Sequence, residues 1–321
     1  MTVDIVNGDL CNLLDSTTIL NTHNTSTVEI RLLQHFQAYT ALTLGSTSCK
    51  NVMQQFTAMK AWQHPYLMHI VMAISSAHLK RLHADADQFR QHRQYSMTEA
   101  AHWQTGLKLY RQQLTDPPKP DFDATIATTF LTIIFIFSLD DDVAVDAYDN
   151  VNDEKFHHAI NPLAATGGFR ALRNLFGEFM NNSVWKSVLR GSDDNHGTYS
   201  NSEIVGIKGL PPAFVKLCDL DENSTAENNQ YYHIVRLLTP LLSMELDVEN
   251  FTKLIAFSGR TWPNFQPMVM ERDPRGLILL AYWFALMRQV DQWVGSLHMT
   301  VTSDTTCYAY DRRFGTYTIR C

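Results

Sequence analysis

Trp262-Pro263, followed by Arg272-Asp273-Pro274-Arg275-Gly276-Leu277-Ile278-Leu279-Leu280-Ala281-Tyr282, is the stretch whose reading decides the fold. Asp273 can accept hydrogen bonds from the free amides of a helix start, Pro274 stands where a helix needs no donor, and an apolar run follows. The pattern predicts a buried helix that opens at Pro274 and runs to about Val290. Trp262, Phe265, Met268, Met270, Tyr282, Trp283, Phe284 and Met287 supply aromatic rings and sulfur on and before it. Such a set builds either a core or the wall of an apolar pocket.

A second block lies upstream. Leu32-Leu33-Gln34-His35-Phe36 and an isolated Trp62 precede Pro65-Tyr66-Leu67-Met68-His69-Ile70-Val71-Met72-Ala73-Ile74-Ser75-Ser76-Ala77-His78-Leu79. From Pro65 the positions Leu67, Ile70, Val71, Ile74, His78 and Leu82 recur at helical spacing, and Ala73, Ser75, Ser76 and Ala77 leave another side narrow enough for close packing. The spacing predicts a central helix over 65–82. Taken together, the two blocks resemble the regulatory domain of fungal zinc-cluster transcription factors, sterol-uptake-control type. That domain carries a Leu-Leu-x-His-Phe helix, a Trp, a Leu-x-His-x-x-x-Ala-x-Ser-Ala-x-His-Leu helix, and later Trp-Pro and Arg-Asp-Pro segments. The resemblance runs from about residue 28 to 293, with Phe169-Arg170-Ala171-Leu172 in its middle.

The resemblance implies an all-α receptor for an apolar ligand, a sterol or a secondary metabolite, acting in the nucleus or cytoplasm. His69, His78, Trp262, Phe265, Tyr282, Trp283 and Met287 are the expected ligand-lining residues. It does not bring a DNA-binding module with it. A zinc cluster needs six closely spaced cysteines to hold two metal ions, whereas Cys11, Cys49, Cys218, Cys307 and Cys321 are all the chain has, and no two form a CxxC pair. A net charge of -7 and a pI near 6.0 give no chain-wide attraction to phosphates. Lys80-Arg81 and Arg312-Arg313 read as solvated faces. The expected partners are an apolar small molecule and either a full-length transcription regulator or a second copy of the chain, with no direct nucleic-acid contact.

With 321 residues, 45% of them hydrophobic, the chain can bury a large core. Asp4, Asp9 and Asp15 with no Lys or Arg before Leu20 are unlike the positive start of a secretory signal. Scattered cysteines fit a reducing compartment. The apolar run 124–139 is broken by hydroxyl side chains and falls short of the roughly 20 residues a membrane span needs. The fold expected is a multi-helix bundle with orthogonal and antiparallel packing: a lead over 1–26, a helical domain over 27–293 and a divergent tail over 294–321.

Further helices are expected over 28–42, 51–61, 86–115 and from Asp121 or Asp123 to Leu139, the third with Tyr95, Leu107, Tyr110 and Leu114 inward. Lys155 to Asn182 reads as one or two helices broken at Gly167-Gly168, and Gly191 to Pro212 as a polar, mobile connection. A helix over 225–246 bends at Pro240, and short helices lie near 248–258 and 264–271. In the tail, alternating aromatic and β-branched residues around Asp311 to Gly315 predict a short hairpin.

Chemistry-bearing clusters are few. Asp140-Asp141-Asp142 and Asp146 resemble the aspartate-rich magnesium motif of terpene synthases, but Asp221, Thr225 and Asn229 lack the glutamate of the companion motif, so a solvated loop is the reading. His64 and His69 are five residues apart, as are His78 and His83, which is not the spacing that puts two imidazoles on one helix face. Neither a metal nor a cofactor is expected. An alternative function remains open at the level of sequence: a cofactor-independent epimerase, isomerase or cyclase of natural-product biosynthesis, with His69 or His78 as general base and Tyr282 as acid. In both readings the helices over 65–82 and 274–290 are expected to face each other across the main cavity, where Ala281→Trp would fill the space.

Overall fold

The computed structural model describes residues 27–83, 89–115, 121–138, 163, 165–168, 177–193 and 205–290. Among them it is all-α, with 11 α-helices and no strand. The lead, the acidic run at 140–146, Phe169 to Leu172 and the tail with its expected hairpin lie outside the described residues.

Helix α1, Thr27–Ala38, buries Leu32, Leu33 and Phe36. It ends earlier than its pattern suggests and gives way to a 3₁₀ turn, Thr40–Thr43, in which the Thr43 hydroxyl donates to the Thr40 carbonyl at 2.6 Å. A short polar side chain bonding its own backbone competes with the helical ladder. Helix α2, Thr47–Val52, is capped by Ser46, passes through a π turn, Met53–Thr57, and continues as α3, Ala58–Gln63. The Thr57 hydroxyl donates back to the Val52 carbonyl, satisfying an acceptor that the widened turn exposes.

Helix α4, Pro65–Leu82, starts with Pro65 in the first turn and is the hub of the front half. It packs on α1, on α3, on α5, Phe89–Thr115, and on α6, Phe122–Ser138. Helix α5 runs antiparallel to α4, because Tyr66 meets Tyr110 while His83 meets Tyr95 at the other end. Gly106 lets the two backbones close: a Cβ there would lie 2.8 Å from Ile70 Cδ1. Helix α6 opens on Asp121, whose Oδ1 accepts from Ala124 N at 2.9 Å, and is tied to α5 by the Tyr110 hydroxyl, 2.6 Å from Thr129 Oγ1. Two inward expectations are corrected. Leu82 is 60% exposed and Leu114 42%, since each sits in the last turn of its helix, beyond the neighbours that cover the preceding turns.

The back half begins with a 3₁₀ turn, Gly177–Asn182, and α7, Lys186–Asp193. Trp185, fully buried, donates from Nε1 to the Asp123 carbonyl at 3.2 Å and so ties this segment to the start of α6. After α8, Pro212–Leu217, comes α9, Tyr232–Leu242. It starts later than expected because Asn228 and Asn229 accept from Thr225 N and Tyr231 N, holding the preceding residues in turns.

Two short helices were expected around Trp262-Pro263; instead one helix, α10, Phe251–Met270, runs through both Pro263 and Pro267. Its apolar face, Phe257, Trp262, Phe265, Met268 and Val269, stays buried on both sides of the prolines. Burial of that face outweighs the ladder bonds that two prolines remove. The chain then reverses within three residues. Arg272, at φ 55°, donates to the Val269 carbonyl at 3.0 Å and Asp273 N to the Met268 carbonyl at 2.8 Å, which closes α10 in a Schellman motif. Asp273 then opens α11, Pro274–Arg288, its Oδ1 accepting from Gly276 N at 2.7 Å. The cap expected at Asp273 is therefore present, and its other oxygen accepts from the Tyr231 hydroxyl at 2.9 Å. Helices α9, α10 and α11 pack on one another.

Candidate functional site

The expected ligand-lining residues fall into three places. His69 and His78 are nine residues apart on α4, which turns them to opposite sides of the helix. His69 faces α5, where its Nδ1 lies 2.8 Å from Nδ1 of His102. His78 faces the other way, with Nδ1 3.0 Å from Thr40 Oγ1 and 3.3 Å from His35 Nε2 on α1. Trp262, Phe265, Trp283 and Met287 are buried between α10, α11 and their neighbours. Tyr282 is 45% exposed on the outside of α11, its ring edge-on to Phe214 of α8.

Helices α4 and α11 are not among each other's principal neighbours. The principal neighbours of α4 are α1, α3, α5 and α6, and those of α11 are α9 and α10. Helix α6 reaches both sides, packing on α4 and presenting Phe137 edge-on to Trp283. Trp283 is anchored as core: its Nε1 donates to the Leu254 carbonyl at 2.9 Å, and Phe257 and Phe284 flank the indole. Ala281 is itself buried, so a Trp at that position would overpack α11.

What the front half does assemble, unforeseen, is a histidine-rich seam around α4. Besides the His35–His78 and His69–His102 pairs, the His83 ring leans on Tyr95 while its Nδ1 lies 2.8 Å from the Leu79 carbonyl. At the start of α4, His64 lies 3.5 Å from Asp121, which also holds Lys60 at 2.6 Å. Burial, then the neighbouring His35 and Arg81, push the His78 pKa down to about 4. Burial likewise lowers His35, with His83 adding to it, and lowers His102 against the opposing pull of Glu29. Burial thus favours the neutral form of His35, His78 and His102. Across α4 and α5, Lys80 Nζ lies 3.0 Å from Oε2 of Glu99, so the buried carboxylate is paired.

This arrangement limits the chemistry. A proton-transfer enzyme needs its acid and base on one substrate, and His69, His78 and Tyr282 are not brought together. The described thiols are poor nucleophiles: burial pushes Cys218 up to about 12 and Cys49 higher. Among the described residues no group of three or more His, Cys, Asp or Glu is placed to hold a metal ion, and no helix is long and apolar enough to cross a membrane. Two open depressions are formed by described residues alone. One of about 370 Å³ is lined by Ile207, Leu210, Val215 and Leu220 among others, and one of about 540 Å³ by Arg90, Arg93, Gln94, Met97 and Thr98.

The front half, with its Leu-Leu-x-His-Phe helix and the histidines of α4, is the part that comparison with known families picks out. Residues 31–150 match the fungal specific transcription factor domain. No curated protein matches the chain. The matched stretch contains most of α1 and all of α2 to α6, hence the whole histidine seam, and supports a regulatory role for the chain. The Trp-Pro and Arg-Asp-Pro segments of α10 and α11 lie beyond the fungal specific transcription factor match. A sequence signal for the seam did exist. The nine-residue interval between His69 and His78 already forbids a shared face, and each imidazole therefore needs its own partner helix.

Proposed function

We propose that this chain is the regulatory domain of a fungal transcription regulator, that it binds an apolar metabolite of the sterol or secondary-metabolite class, and that it acts through a partner protein without contacting DNA itself. The observation that carries the reading is the fungal specific transcription factor match over residues 31–150, set in an all-α fold. Support for the ligand comes from the Met and aromatic residues of α10 and α11. Trp262, Phe265, Trp283 and Met287 lie on two helices joined by a sharp elbow, and such side chains repack around an apolar guest. In this reading His69 and His78, which the resemblance placed at the ligand, also join α4 to its neighbours, and ligand binding biases which arrangement of those helices is populated. Nucleus or cytoplasm is the expected location.

The experiment is to purify the chain, extract it and identify any carried lipid by mass spectrometry, then to measure thermal shifts with a panel of sterols. A bound apolar molecule and a rise in Tm are expected, with Trp262→Phe weakening the shift while leaving the unliganded protein folded. No carried molecule and no shift with any apolar compound would sink the ligand half of the reading. Deleting the gene separates regulator from enzyme: a fall in many transcripts supports the regulator, whereas an accumulated precursor with unchanged transcripts supports an isomerase, epimerase or cyclase.

A further inference from the structure

Helix α5 is 27 residues long, about 40 Å at the usual rise, and its inward side is occupied by α4 and α6 through residues such as Glu99, His102, Gly106 and Tyr110. Its outward side is exposed. Arg90, Arg93, Met97, Ala101, Gln104 and Lys108 follow one another in steps of three and four and are all exposed, which makes a continuous helical stripe. Met97 is 67% exposed, more than any other large hydrophobic side chain of the described residues, and it lies in the depression of about 540 Å³ that runs along Arg90, Arg93 and Gln94. At the adjoining end of α4, Leu82 is 60% exposed.

The charge of this face runs against that of the chain. The net charge is -7, yet α5 carries Arg90, Arg93, Lys108 and Arg111 and a single carboxylate, Glu99, which is buried against Lys80. None of the four cations has an ion-pair partner among the described residues. They stand in two pairs towards the ends of the helix, with Met97, Ala100 and Ala101 between them. A second copy of this chain is the wrong occupant, because two such helices would set cations against cations whether parallel or antiparallel. Phosphates have no use for an exposed methionine flanked by alanines at the centre of the stripe.

We propose that the outward face of α5 docks an acidic amphipathic helix of a partner protein. A bulky apolar side chain of that helix lies on Met97 and the alanines, and Asp or Glu residues before and after it meet Arg90, Arg93, Lys108 and Arg111. The proposal rests on the partner half of the proposed function and not on its ligand half. A chain that binds no sterol can still bind the helix, and the reverse also holds.

The test uses the full chain and a fluorescent synthetic helix of about 20 residues, with leucines at three- and four-residue spacing and glutamates beside them. Anisotropy is read at low and at physiological salt, and a copy with every glutamate replaced by lysine serves as the control. Saturable binding of the acidic helix is expected, weakening with salt and falling about tenfold or more in Arg90→Glu/Arg93→Glu and in Met97→Glu. These positions are exposed, so unchanged circular dichroism and Tm are expected to accompany the loss. The proposal is overturned if the variants bind as the parent does, if the lysine helix or a short DNA duplex binds equally well, or if light scattering shows a dimer of the chain that Met97→Glu dissociates.

Discussion

Two antiparallel helix pairs, α4 with α5 and α10 with α11, hold this molecule in different ways. The first is a polar seam: His69 meets His102, Lys80 meets Glu99, and His78 turns away from it towards His35 and Thr40. The second is dry. Phe257, Phe265, Met268 and Trp283 fill it; the buried Ser258 and Thr261 hydroxyls bond within α10 itself, and the other polar contacts described lie at the elbow of Arg272 and Asp273 and at the Trp283 indole nitrogen. A polar seam depends on which protons are present, whereas an aromatic core depends on volume. The part matched to the fungal specific transcription factor domain is the one whose contacts are expected to respond to pH.

The largest effect is expected from emptying the dry pair. Trp283→Ala removes a fully buried indole and leaves a cavity between Leu254, Phe257 and Phe137, at a cost of about 3–5 kcal/mol. Urea unfolding is expected to show the same loss at pH 7 and pH 5, because no titrating group faces that ring in the contacts described. A loss that shrinks at the lower pH would mean the two helix pairs are not energetically distinct.

Next comes the polar seam. His78 is held near pKa 4, well below its ordinary value of 6.5, so the unfolded chain takes up a proton there before the folded one does. Stability is therefore full above about pH 6.5 and is lost as pH falls towards 4, by an amount on the order of 2–3 kcal/mol for this group. His35 and His102, also lowered, act in the same direction. Denaturation midpoints measured between pH 7 and pH 4.5 are expected to fall, and to fall less steeply in His78→Gln. An identical slope in that variant would remove His78 as the cause.

How far these differences were legible from sequence follows from the range of each signal. The Asp273–Pro274 start could be read because capping is a local bond between neighbours in sequence, and the same holds for Asp121 and Pro65. The continuous α10 could not be read, since what carries it through Pro263 and Pro267 is burial against segments far away in the chain. The seam was half legible. Periodicity placed the histidines on α4, but their partners, His35 and His102, are 43 and 33 residues distant and no local rule joins them. The composition of the aromatic set says core or pocket, and a neighbour of Trp283, Phe137 of α6, is so far away in the chain that no local rule could name it.

A smaller loss is expected at the elbow. Asp273→Ala leaves Gly276 N without its acceptor and the Tyr231 hydroxyl without its partner, at a cost of about 1–2 kcal/mol. Asp273→Asn keeps an oxygen for Gly276 N and is expected to lose only a fraction of that. If the asparagine variant unfolds as readily as the alanine one, the carboxylate charge and not the cap holds the turn.

The smallest effect tests how tight the polar seam is. Alanine is favoured over glycine inside a helix by about 1 kcal/mol, so Gly106→Ala would stabilise α5 if nothing else met the new methyl group. On α4 it meets Ile70 Cδ1 at 2.8 Å, Ile70 Cγ1 at 3.0 Å and His69 Cβ at 3.2 Å. The nearest of these is the end of a flexible side chain, but Ile70 is fully buried, and close-packed interiors leave a side chain little volume into which to swing. Overpacking of about 1–3 kcal/mol then exceeds the gain in propensity, and a net loss of about 1 kcal/mol is expected. The displacement is passed to His69, whose Nδ1 lies 2.8 Å from that of His102, so the imidazole resonances of both should move together in the variant. A full 1 kcal/mol of stabilisation with both resonances unmoved would show that the seam has slack at its closest point, and the contrast between the two helix pairs would then rest on their protons alone.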